Sequence, residues 1–102
     1  MADEKKLERL IEKAIIDCYG ENEQRSGFYC TLEDKLKFPF PAKIAGEEII
    51  VTGLSQEGSR INAVCKRNGK EYLIEILSLQ ADPRKVRDCQ WIKAYRKWDK
   101  NY

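Results

Sequence analysis

Apolar residues recur at intervals of three and four over residues 4–19, where Leu7, Leu10, Ile11, Ala14, Ile15 and Cys18 share one face and Lys, Glu and Arg fill the other. That period predicts an amphipathic helix, with Asp3 as its N-cap and Gly20 ending or bending it. Residues 21–27 are polar or Gly and read as a loop or an exposed helical turn. Phe28, Leu32 and Leu36 at i, i+4 and i+8 predict a second helix, with Ser26 a candidate cap. It must stop before Phe38-Pro39-Phe40-Pro41, because alternate prolines favour extended backbone. A P-x-P spacing also fits a polyproline-like recognition element, but at a helix-to-sheet junction two phenylalanines plugging the core is the stronger reading.

The pattern then shortens. Ala42–Ile44, Glu48–Leu54, Arg60–Arg67 and Glu71–Leu77 read as strands, separated by Ala45-Gly46, the polar stretch 55–59 and Asn68-Gly69. Asn-Gly between two strands is a strong hairpin signal. From Asp82 the helical period returns: Asp82 can cap, Pro83 suits the first turn, and Trp91, Tyr95, Trp98 and Tyr102 form an aromatic stripe. The expected fold is α+β: N-terminal helices, a small antiparallel SH3-like β-meander or partial barrel, and a C-terminal helix. At 102 residues it is one domain, 1–102.

Composition narrows the function more by exclusion than by indication. No apolar run approaches the roughly 18 residues of a membrane span, and the charged start is not a signal peptide, so a cytoplasmic location is expected. Cys18, Cys30, Cys65 and Cys89 form no C-x-x-C pair, and the chain has no histidine. Zinc is therefore not expected, and reduced, mostly buried thiols are. The lack of histidine removes the commonest general base and any Ser-His or Cys-His pair, so the chain does not read as an enzyme.

Charge is uneven along the chain. Residues 1–48 carry 11 acids against 8 bases, and residues 49–102 carry 6 against 11. The most acidic stretch is 17–34, where Asp17, Glu21, Glu23, Glu33 and Asp34 face only Arg25. With Asn22 and Gln24 these are oxygen donors of the kind calcium takes, although no EF-hand loop is present. A solvated helix end explains the same residues. The C-terminal bases Arg84, Lys85, Arg87, Lys93, Arg96, Lys97 and Lys100 interleave with aromatics, as nucleic-acid footprints do. Helical spacing argues instead that the aromatics face the core, which speaks against nucleic acid.

Five segments together, Asp17–Gln24, Gly27–Tyr29, Leu36–Ala42, Val64–Lys70 and Trp91–Trp98, resemble the small bacterial calcium-binding proteins typified by the cyanobacterial calcium-binding protein. The resemblance spans roughly residues 15–98 and is most specific at Phe38-Pro39-Phe40 and in the aromatic helix. It implies a cytosolic calcium buffer or sensor without enzymatic activity, binding Ca2+ through surface acids. Those that could correspond are Asp17, Glu21, Glu23, Glu33 and Asp34. The cyanobacterial member is strongly acidic, whereas this chain is net +2. The competing expectation is an interaction module, its SH3-like strands or basic C-terminal helix binding a protein or RNA, with calcium weak or lost. No protein partner is indicated.

Overall fold

The helical period of the N-terminal segment produces α1 (Ala2–Ala14), which buries Leu10 and Ala14 and leans Leu7 and Ile11 on the core. The computed structural model describes the backbone of residues 2–100 and the side chains of residues 4–100. Asp3 falls inside α1, which already starts at Ala2, so it is not the N-cap expected of it, and the end of the stripe at Tyr102 lies outside the described residues. α1 ends earlier than expected. The Cys18 amide closes a tight turn onto the Ile15 carbonyl at 2.9 Å, and Asp17 takes a left-handed conformation, φ 61°. A single Asp tolerates that region better than most residues do.

α2 (Glu21–Lys35) starts at an extended Gly20, so residues 21–27 are helix and Ser26 lies inside it rather than capping it. Its buried stripe is Arg25, Phe28 and Leu32, continued by Leu36, whose extended backbone stops the helix ahead of the prolines. Gly27 is there for closeness. A Cβ on it would lie 2.5 Å from the Ala14 carbonyl oxygen, so α1 and α2 approach at this point as only a glycine allows.

Four strands follow as an antiparallel meander: β1 (Phe40–Ile44), β2 (Glu47–Glu57), β3 (Arg60–Arg67) and β4 (Lys70–Glu75), in spatial order β1-β2-β3-β4. The Ala45-Gly46 and Asn68-Gly69 turns have positive φ at both residues, which matches the twist of the strands they join. Alternation buries Phe40 and Ala42 in β1 and Ile61, Ala63 and Cys65 in β3. In β2 it would turn Gly53 and Ser55 inward after Ile49 and Val51. The register shift between Val51 and Gly53 resets it, and Leu54 enters the core instead.

After β4, a 3-10 turn at Ile76–Ser78 carries the chain to the far edge of the sheet, where Lys43 and Gln80 exchange backbone hydrogen bonds of 2.9 Å. The meander is thereby partly closed. The continuous helix expected from Asp82 does not form. Asp82 caps only a local turn, accepting the Arg84 amide at 2.9 Å, and Asp88 at φ 60° interrupts the backbone. That hydrogen bond holds the Asp82 carboxyl below the usual carboxylate range. α3 begins at Gln90 and runs to Lys100.

The core lies between the sheet and the helices. α3 contributes Trp91, Ile92, Ala94, Tyr95 and Trp98, so the aromatic stripe faces inward as its spacing predicts. Phe40 is buried and Phe38 packs on it with ring centroids 5.5 Å apart, the structural role expected of the proline-flanked pair. Cys65 and Cys89 are buried, Cys18 is half-buried, and Cys30 is exposed, so burial of the thiols is less complete than expected. All four are free, and burial pushes the Cys65 thiol up. Among the described residues no helix is long and apolar enough to cross a membrane.

Candidate metal centre

The acidic residues singled out by the sequence fall in two separate places. Asp17, Glu21 and Glu23 surround the bend between α1 and α2 and are exposed. Glu33 and Asp34, also exposed, sit near the other end of α2. A straight helix rises about 1.5 Å per residue, so the twelve residues from Glu21 to Glu33 hold the groups roughly 18 Å apart. Glu33 and Asp34 therefore do not fold back to join the others, because an unbroken helix intervenes. Among the described residues no three carboxylate or thiol side chains converge closely enough to hold a metal ion.

Each acid at the bend has a local task. Glu23 Oε2 accepts the Tyr19 amide at 3.1 Å, satisfying a donor just ahead of the helix much as a capping box does. Glu21 and Glu23 in the first turn also complement the positive end of the helix dipole. Gln24 is taken up structurally: its Oε1 accepts the Trp98 indole N–H at 2.9 Å, and its Nε2 donates to the Cys18 carbonyl at 3.4 Å. It is not an available ion ligand. Glu33 Oε2 lies 2.7 Å from the Tyr29 hydroxyl, and this hydrogen bond, with burial, raises the tyrosine's pKa.

The residue that organises the bend is Arg25, only 4% exposed and the one buried charge among the described residues. Its Nη1 donates to the Tyr95 hydroxyl at 2.7 Å and to Asp99 Oδ1 at 2.9 Å, and its Nη2 donates to Glu21 Oε1 at 3.0 Å. The guanidinium carbon lies 4.7 Å from the centre of the Trp98 ring, a cation–π distance. Burial opposes its charge, yet the bonds to Asp99, Tyr95 and Glu21 outweigh that, and its pKa stays above the ordinary value. Tyr95 is pushed up by burial in spite of the arginine beside it.

Sequence reasoning treats Arg25 only as a charge diluting the acidic patch, and it misses Asp99 altogether. A signal was present: Arg25 falls on the stripe 25, 28, 32, 36, where an apolar residue belongs. Two of the four basic residues of α3 are likewise engaged within the fold. Arg96 donates to the carbonyls of Leu77 and Leu79, and Lys97 lies 3.8 Å from Glu4 and 4.0 Å from Glu8. With Trp91, Tyr95 and Trp98 buried, no aromatic of α3 presents a face for base stacking.

Comparison with solved structures gives two matches. The crystal structure of Anabaena CcbP has a TM-score of 0.77 at 20% identity, covering 92% of this chain and 89% of that one. A calcium-binding protein in its calcium-binding form has a TM-score of 0.76 at 22% identity, covering 95% and 91%. At such identities the likeness is one of fold. Comparison with curated proteins gives no significant match. The model of the CcbP family, described as calcium binding, matches residues 8–98. Since that match runs from within α1 to within α3 and covers most of the chain, the chain belongs to the CcbP family of calcium-binding proteins.

Proposed function

We propose that this protein is a cytoplasmic calcium buffer or sensor, not an enzyme, and that it takes the ion at the bend between α1 and α2. The observation that carries the reading is the family match across residues 8–98, which includes the whole bend. Asp17, Glu21 and Glu23 are the proposed ligands, with backbone carbonyls and water completing the six to eight oxygens calcium accepts. Glu33 and Asp34 are too remote to share that ion and form at most a second, weaker locus. Because three carboxylates must be drawn together on binding, the affinity is lower than that of a rigid preformed cage. Net charge +2 does not forbid this. The basic half acts through solvent, where the Debye length is about 8 Å at physiological salt, whereas the carboxylates act in contact.

Calorimetry on the Glu21→Gln, Glu23→Gln double variant tests the assignment. Calcium affinity should fall at least about fivefold, since two of the charges that attract the ion are gone. The circular dichroism spectrum should be retained. Undiminished affinity in a folded double variant would move the site elsewhere.

A further inference from the structure

We propose that the groove between the 3-10 turn and α3 binds a phosphate-bearing anion, held by Lys93 and Arg96. It is an open pocket of about 420 Å³ whose walls include Ser78, Gln80, Ile92, Lys93 and Arg96. Two cations line it and no carboxylate does. Acids line the adjoining grooves instead. Glu48 and Asp82 lie on the β1 side, where Gln80 is shared, and Glu4 lies on the α1 side, where Lys93 and Arg96 are shared. Within this groove nothing cancels the positive charge.

Arg96 is preorganised for the task. Its Nη2 donates to the carbonyls of Leu77 and Leu79 at 3.2 and 3.3 Å, which fixes the guanidinium and caps two oxygens that would otherwise repel an anion. A guanidinium has five N–H donors, so Nε and Nη1 remain, and among the described residues neither they nor the Lys93 ammonium has a protein partner. Lys93 and Arg96 are three positions apart on α3 and both exposed, so they are neighbours on one face. Ser78 and Gln80, also exposed, add a hydroxyl and an amide donor. Two free cations match a phosphate group, which carries about −1.5 to −2 at neutral pH and offers three acceptor oxygens. A carboxylate would satisfy only half of that charge. Ile92 supplies an apolar wall for the organic half of a phosphomonoester.

The site is independent of where calcium binds, and calcium-free titration tests it. Inorganic phosphate and phenyl phosphate are each followed by amide NMR in physiological salt, with chloride at matched ionic strength as the blank. Residues 77–81 and 93–96 should shift saturably with millimolar phosphate. Tighter binding of phenyl phosphate would mark a phosphomonoester as the ligand, and equal binding the free ion. Lys93→Gln should weaken binding at least about fivefold, because it removes a charge in contact with the anion. Lys100→Gln takes the same charge from the same helix, but Lys100 lines the adjoining groove and not this one. Screened by salt, its loss should change the affinity less than about twofold. Shifts that chloride reproduces, or equal weakening by K93Q and K100Q, would overturn the proposal, since either means a general response to charge rather than a built site.

Discussion

Trp98→Ala is expected to destabilise the protein by about 3–5 kcal/mol, the range for truncating a fully buried large aromatic. Trp98 is 3% exposed and lies where α2 and α3 meet. Its ring sits 5.4 Å from Phe28 and 5.8 Å from Tyr95, and its indole N–H donates to Gln24. Alanine would leave a cavity beneath the Arg25 guanidinium and orphan the Gln24 oxygen, so the loss exceeds that of an apolar contact alone. Urea unfolding measures it directly. An unchanged midpoint at unchanged slope would mean that this ring does not pin α3 to α2.

Gly27→Ala is expected to cost about 1–3 kcal/mol, against the usual trend for a helix interior. Intrinsic propensity alone favours alanine over glycine there by about 0.8–1.0 kcal/mol. The added methyl, however, would lie 2.5 Å from a backbone oxygen of α1 and 3.1 Å from Cys18 Sγ. A side chain could swing aside, but the Ala14 carbonyl moves only with its helix. Overpacking therefore outweighs propensity, and α1 must shift away from α2 at the edge of the proposed site. A variant as stable as wild type, or more stable, would show that the helix contact is looser than this.

The strands and the inward aromatic stripe were legible because each rests on strong local signals: Asn68-Gly69, β-branched alternation, and repeats of three and four in α3. The misjudged boundaries lie where one residue's backbone overrode a pattern. Asp17, left-handed, cuts short a helix whose periodicity runs on to Cys18, and Asp88, also left-handed, delays the one that the cap and proline signals at Asp82 and Pro83 would start. At the start of α2 the polar run 21–27 concealed a helix, because its buried face there is supplied by Arg25 and by close approach at Gly27 rather than by apolar side chains. The candidate site was legible as a list of acids and not as a geometry. Spacing could not show that one straight helix separates Glu33 and Asp34 from the bend. Nor could it bring Asp99 to Arg25 across 74 residues of chain.

The charge of the chain matters less to the calcium account than the local arrangement does. At the bend, three exposed carboxylates lie around one buried guanidinium, which bonds Glu21 Oε1 at 3.0 Å. The most direct test is a calcium titration followed by amide resonances in physiological salt. Residues 17–23 should move first and saturably, 33 and 34 later or less, and magnesium should move them less because it dehydrates reluctantly. If millimolar calcium leaves residues 17–23 unmoved, the protein keeps its family's architecture without an ion at this bend.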